Sequence, residues 1–308
     1  MTLFTVEQLL ALVKQGKSFA NEELSSINLQ NTNLGKVNFS GAYLRKANFS
    51  QAVCQETDFS HATLYFANFS HTDLSSANLS FAHLNSAYFQ GANLREISAH
   101  GAVFREAKLK DIEAPLGQFE QAIFVSATGE KLNLSCSNLH KANLGKVNFS
   151  QVNFRSANLV QVSFEFAQLN NSQWHNADAE KASFIGANLV DADLCAVNLF
   201  AANFFEAHLN QVNLKATQLQ EAILTNAHLN HVDFSQASLF AANLEGATFE
   251  HVNLTGADLQ DANLEKTIWK EVEFEGCEVS GAEFSDAQGL TTEQKRWLRK
   301  NGALNVPE

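Results

Sequence analysis

Proline is nearly missing from this chain, with two in 308 residues, and so are methionine, with one, and tryptophan, with three. The four cysteines, Cys54, Cys136, Cys195 and Cys277, form no C-x-x-C pair and no Cys/His cluster with metal-ligand spacing. Neither a disulfide framework nor a metal site is indicated, and a reducing, cytoplasmic setting is expected. Positive charge is scarce: 21 Lys and Arg stand against 33 Asp and Glu, a net charge of -12. That balance argues against direct nucleic-acid binding through phosphate neutralisation. Long apolar runs are absent, and the N-terminal MTLFTVEQLLALVKQG has no basic residue before a short apolar stretch broken by Glu7 and Gln8. A secretory signal and a membrane-spanning helix are therefore not expected. No nucleophile motif, phosphate-cradling glycine loop or paired-carboxylate arrangement is recognisable, so no catalytic residue, no cofactor and no enzymatic activity are expected.

What is present is a period of five. Stepping by five from Leu24 gives 53 centres ending at Phe284, of which 28 are Leu and 17 are Phe. Two places before each centre stands a small residue, Ala at 30 of the 53, and the place between holds 20 Asn and 6 Asp. A helix would repeat its apolar residues at 3.6 and a simple strand at 2, so neither explains the pattern. In an extended segment the small residue and the centre point to one side and the residue between them to the other. The two remaining residues, rich in Ser, Gln, Asn, Gly and His, turn the chain before the next inward pair. A chain that turns after every extended step winds into a coil, and each coil buries its Leu/Phe stack against its neighbours, as in a solenoid.

The tandem A-[N/D]-[L/F]-x-x units, such as Ala47-Asn48-Phe49-Ser50-Gln51 and Ala257-Asp258-Leu259-Gln260-Asp261, resemble the pentapeptide-repeat family over residues 22–286. The resemblance implies an all-β solenoid: a right-handed quadrilateral β-helix with four pentapeptides per coil and the centre and small residue filling the interior. Its 53 units would make about 13 coils, a rod roughly 60 Å long at ~4.8 Å per coil. Residues 1–21 are expected to form an N-terminal capping helix, with Val6, Leu9, Leu10 and Val13 on one face and Gly16 as its stop. Residues 287–308 are expected to form a C-terminal helical cap opened by the capping box Thr291-Thr292-Glu293-Gln294. The pattern weakens at 110–132, where Ala114 and Gly129 fall on centres and Leu132 on a small position, flanked by Pro115 and Gly117. Because the phase agrees on both sides, irregular coils with one local bulge are expected there rather than a domain boundary. At Trp174 and Ala179 an oversized and an undersized centre are adjacent and compensate in volume.

The Asn/Asp column, including Asp58, Asp73, Asp193, Asp233 and Asp258, reads as turn chemistry rather than calcium ligation: the side chains bond nearby backbone and stack on their equivalents one coil away. A spacing of twenty pairs His208 with His228 and His231 with His251 as solvated turn residues. Six Phe lie off the centres inside the repeats. Phe200 and Phe240 take one outward position two coils apart, Phe205 follows one pentapeptide later so that the three share one corner, and Phe166 extends the strip. Aromatic anchors ringed by polar residues mark partner-binding surface. Trp297, Leu298 and Leu304 exceed what a short cap needs and point to homodimerisation through the C-terminus. The functional expectation is a scaffold for protein–protein interaction, regulatory in character, with an unknown protein partner. The alternative is a DNA mimic that protects a type II topoisomerase, DNA gyrase, as members of one branch of the family do. Thirteen of the 33 acidic residues fall in 242–308 rather than being spread along the repeats, which speaks against such a mimic.

Overall fold

The structure, a computed structural model, describes residues 5–308. Its coil repeats at twenty residues. Within each of the chain's two compact units, bridging residues recur every five positions and pair in parallel with the residue twenty further on, as in Tyr43 with Thr63 and Asn48 with Asn68. Four five-residue steps therefore return the chain to the same side one layer along. Most sides are too short for more than one bridge. Three-residue strands appear on one of them: β1 (Thr128–Glu130) pairs with β2 (Asn148–Ser150), and β3 (His228–Asn230) with β4 (Thr248–Glu250), which pairs with β5 (Ile268–Lys270). Two helices complete the described chain, α1 (Val6–Val13) and α2 (Thr292–Lys300), each opened by a capping box, Thr5 with Gln8 and Thr291 with Gln294. The contacts divide the chain into two compact units, Met1–Asn158 and Leu159–Glu308.

The five-residue unit can be understood from its backbone N–H groups, taking Phe49 to Val53. Phe49 N–H donates to Asn68 O at 2.7 Å and Gln51 N–H to Ser70 O at 2.9 Å, both in the next coil. Val53 N–H donates to Thr32 O in the previous coil and Ala52 N–H closes the turn on Phe49 O, each at 2.9 Å. Only Ser50 N–H finds no backbone acceptor, and Asn48 Oδ1 accepts it at 3.1 Å. Unpaired backbone donors are costly, so the residue two places earlier is most often the one whose side chain supplies this bond. The preference for Asn and Asp follows. The same amides also run from coil to coil, as Asn198 Nδ2 donates to Asp178 Oδ1 at 2.8 Å.

The turn fixes the other polar position. From Asn21 to Asp286 every fifth residue has positive φ, as a type II turn requires at its third residue, yet few of these are Gly. Lys36, Phe81 and Glu206 all adopt it, at φ 65°, 59° and 55°. Such a conformation costs on the order of 1 kcal/mol or more for a side chain with Cβ, and persists where its surroundings over-determine it. Here the turn bond and two inter-coil bonds do so.

Inside, centres stack on centres. In the first unit Phe49 lies 4.9 Å from Phe69 with rings 4° apart, and in the second Phe184 lies 4.6 Å from Phe204 at 2°. Phe19, one five-residue step before Leu24, is also fully buried and stacks on Phe39. Where the centre is Trp, the small position carries a hydroxyl. Trp174 donates to Ser172 Oγ at 2.6 Å and Trp269 to Thr267 Oγ1 at 2.8 Å. Both indole N–H groups are thus satisfied indoors, as burial of Trp demands. Ala179, next to Trp174, is fully buried and leaves room for the larger ring.

Through 110–132 the register continues without an inserted residue: Lys108 bridges Thr128, Glu113 bridges Asn133, Gln118 bridges Asn138 and Ile123 bridges Asn143. The local bulge expected there is absent, because the irregularity is one of side-chain volume. A Cβ on Gly129 would lie 2.6 Å from Leu132 Cδ1, so the Leu at the small position fills the space left by the Gly at the centre. Leu132→Ala should then cost about 2 to 5 kcal/mol and Gly129→Leu about 1 to 3. The double variant, which restores the ordinary pattern, should be more stable than the sum of the two by about 0.5 to 3 kcal/mol in chemical denaturation. Additive losses would contradict the exchange of volume.

Candidate functional site

With the interior filled and no buried side-chain nitrogen or oxygen lacking a partner among the described residues, whatever the chain binds must meet its outer positions. Three residues of each five face outward: the bridging residue and the two turn residues. About half of the bridging residues, 26 of 53, are Asn or Asp. The others fall on every side, and several form runs at twenty-residue spacing, such as His208, His228, Thr248 and Ile268. On one side of the first unit, Tyr43, Thr63, His83, Val103 and Ile123 follow one another over five successive coils, each bridged to the next. At ~4.8 Å per coil this column runs roughly 19 Å.

Aromatic side chains border the column on both turns. Tyr65 lies 6.0 Å from His83. Phe66 is 43% exposed and carries the Arg45 guanidinium 5.9 Å above its ring. On the opposite edge Phe81, 45% exposed, stacks on His61 at 5.1 Å and meets His100 edge-on at 5.1 Å. Gly101 makes room for that ring, since a Cβ there would approach it to 2.8 Å. Phe66 and Phe81 are among the six off-centre Phe of the repeats, whereas Tyr43 and Tyr65 carry no such mark. The signal that locates the side is the run of missing Asn/Asp at twenty-residue spacing.

In the second unit the four phenylalanines singled out from the sequence are all outside. Phe200 and Phe205 are half-buried, and their N–H groups are held by Asn198 Oδ1 and Asn203 Oδ1 at 3.1 and 3.0 Å. Phe240 and Phe166 are exposed, and Phe166 lies against Gly186. They do not share one corner. Phe200 and Phe240 belong to one turn column, while Phe205 and Phe166 belong to the next, because five residues advance the chain by one corner. The two columns bound a common side whose bridging residues include Ile223, also exposed.

The histidine pairs stack as the spacing implies, His208 on His228 at 5.1 Å and His231 on His251 at 4.5 Å. Among the described residues no three His, Cys, Asp or Glu side chains are grouped to hold a metal ion. His251 Nδ1 pairs with Glu271 Oε2 at 2.9 Å beside a groove of about 510 Å³ between α2 and the coil. The hydroxyl of Thr291 in that groove is engaged as the α2 cap, accepting Gln294 N–H at 3.2 Å. At the C-terminus, Trp297 packs on Phe274 at 5.9 Å, Leu298 is fully buried, and Leu304 is exposed while its backbone bridges Glu283. Leu298 is thus a core residue rather than a surface contact. No described helix is long and apolar enough to cross a membrane.

A parallel β-solenoid with a twenty-residue coil and a five-residue side is the class these observations define. The family model for pentapeptide repeats matches residues 23–112 and 133–288 in overlapping stretches, and the chain belongs to that family. The gap between the matches coincides with the irregular coils. Similar solved structures include HetL, a pentapeptide repeat protein involved in heterocyst differentiation regulation from the cyanobacterium Nostoc sp. strain PCC 7120. It is 27% identical, over 92% of this chain and 98% of that one, with a TM-score of 0.23. A trypsin-treated form of QnrB1, a plasmid-mediated fluoroquinolone resistance protein, is 16% identical over 90% and 96%, with a TM-score of 0.23. A pentapeptide repeat protein of the Arabidopsis thaliana thylakoid lumen is 24% identical over 48% and 80%, with a TM-score of 0.17. The family assignment rests on the repeats and not on these superpositions. Among curated proteins no match was found.

The cysteines differ sharply in environment. Burial pushes the Cys54 thiol far up, with the Asp73 carboxylate adding to it, and raises Cys277 to about 12, with Asp258 and Glu278 adding. Neither is an activated nucleophile, since the thiolate is the reactive form. Thiol titration of the native chain should therefore label exposed Cys136 quickly and leave Cys54 and Cys277 unreacted until denaturant is added. Rapid labelling of Cys54 in the native state would contradict the buried assignment.

Proposed function

We propose that this chain is a non-catalytic scaffold whose outer sides bind protein partners, with the Tyr43 to Ile123 side as its principal contact surface. One observation carries the reading. Five successive coils there give up the Asn/Asp that satisfies a turn N–H at about half of the other positions, and four of the five put Tyr, His, Val or Ile in its place. Each omission forgoes a side-chain hydrogen bond worth about 0.5 to 1.5 kcal/mol, and the Phe66 and Phe81 rings bordering the column remain exposed. Exposed apolar groups gathered on one polar surface are characteristic of binding sites.

A DNA-like decoy of a topoisomerase is less well supported. Such a surface calls for anionic sides throughout, and residues 1–158 carry 13 Lys and Arg against 12 Asp and Glu. The side identified here is apolar and aromatic instead.

Replacing Tyr43, His83, Val103 and Ile123 together by Asn returns the column to the repeat's own chemistry. The variant should melt at or above the temperature of the parent chain, and proteins captured by the parent from a lysate of its native host should be lost. A fall in melting temperature with undiminished capture would show that the column is structural and overturn the proposal.

A further inference from the structure

The second unit differs from the first in charge. Residues 159–308 carry 21 acidic and 8 basic side chains, against 12 and 13 in residues 1–158. Part of this excess borders the Ile223 side. Glu180 and Glu221 lie in the turn column that carries Phe200 and Phe240, and Glu206 and Glu245 in the column that carries Phe205. The cations on these turns are already matched: Lys181 Nζ is 2.7 Å from Glu180 Oε1, and Lys266 Nζ is 2.6 Å from Glu245 Oε1. Glu206 and Glu221 are exposed and make no direct ion pair among the described residues, although Lys181, whose Nζ lies 5.9 Å from the Phe200 ring, also feels the Glu221 carboxylate.

The result is an apolar strip between two acidic edges. Ile223 lies on the bridging line, the three phenylalanine rings stand at the two corners, and the carboxylates line the turns beside them. Three extended residues between turns set the side at about 10 Å across, and Phe200 and Phe240 are two coil steps, roughly 9.6 Å, apart. An α-helix is about 10 to 12 Å wide, and its residues i and i+7 are separated by ~10.5 Å. One helical face with apolar groups at i, i+3, i+4 and i+7 therefore matches the strip in both width and spacing.

We propose that this side binds a cationic amphipathic helix of a partner protein. The helix lies along the coil axis, its apolar face on Phe200, Phe205, Ile223 and Phe240 and its Lys or Arg flanks against Glu206 and Glu221. The charge commits the choice: an acidic helix meets like charge on both edges, and a neutral one leaves the carboxylates unmatched. This assignment rests on the scaffold reading but uses a different unit, so the two fail separately. Loss of capture through the Tyr43 side leaves this surface untouched, and the converse also holds.

The test uses the full chain and a synthetic helix of leucine and lysine with leucines at i, i+3, i+4 and i+7, followed by fluorescence titration. Two control peptides have the same leucine and lysine composition in strict alternation, or glutamate in place of lysine. The helical lysine peptide should bind at least tenfold more tightly than either. Phe200→Ser, Phe205→Ser and Phe240→Ser together, at unchanged net charge, should weaken it at least tenfold. Glu206→Gln with Glu221→Gln should weaken it severalfold and reduce its salt dependence. The Gln pair leaves the apolar groups intact, so it decides the matter if the triple variant melts early. Equal binding of the alternating peptide, or binding unaffected by either set of substitutions, would reduce the interaction to net charge alone and overturn the proposal. No binding of the helical peptide would overturn it as well.

Discussion

One backbone N–H in every five residues has no main-chain partner, and much of this molecule follows from how it is satisfied. The other four are taken by the neighbouring coils and by the turn, as Phe49, Gln51, Ala52 and Val53 show. The fifth, at Ser50, is taken by the side chain of Asn48. A polar residue that bonds locally is thereby placed at the midpoint of an extended side, where it also bonds its counterpart twenty residues away, as Asn78 Nδ2 does with Asp58 Oδ1 at 3.1 Å. Sequence preference, coil period and surface composition are linked through that single donor.

The same accounting separates constrained positions from free ones. Centres and small residues are fixed by volume, and where one changes its neighbour answers, as Leu132 does for Gly129 and Ser172 does for Trp174. Turn residues must accept positive φ, yet that conformation is so strongly imposed that Phe81 and Phe166 adopt it at 59° and 57°. Bridging residues stand between these cases. Where one is neither Asn nor Asp the coil still forms; Glu23 and Glu283 still accept the turn N–H, but an aromatic or aliphatic residue supplies no such bond and leaves its side chain on the outer side. Tyr43, His83 and Ile123 in one unit and Ile223 in the other are such groups, and the proposed contact surfaces are built around them.

The solenoid was legible because its signal is repeated along most of the chain, and each unit carries the same inward pair and the same turn. The histidine stacks were legible for a related reason, since spacing by twenty is enough to superpose side chains on a straight-sided coil. The arrangement of Phe200, Phe205 and Phe240 was read less well. Five residues rotate the chain to a new corner, so the rings bound one side from two edges instead of clustering at a single point. The sequence suggests a surface role for Leu298 because a short helix there looks overloaded with apolar groups; in the structure it is fully buried. The Tyr43 side is hard to see in the sequence because its residues differ from one another in type. Only their shared failure to be Asn or Asp, counted at the coil period, brings them together.

The central claim is that a twenty-residue hydrogen-bonded register, rather than the apolar pattern alone, defines the fold. The most direct measurement compares two insertions in the second unit by thermal melting and hydrogen exchange. One duplicates residues 202–221, a whole coil, and the other adds a single residue between Gln211 and Val212. The duplication should fold cooperatively with undiminished protection. The single residue, which displaces every later donor from its acceptor, should lower the melting temperature by several degrees and remove protection on both sides of the insertion. Equal tolerance of the two insertions would contradict the account.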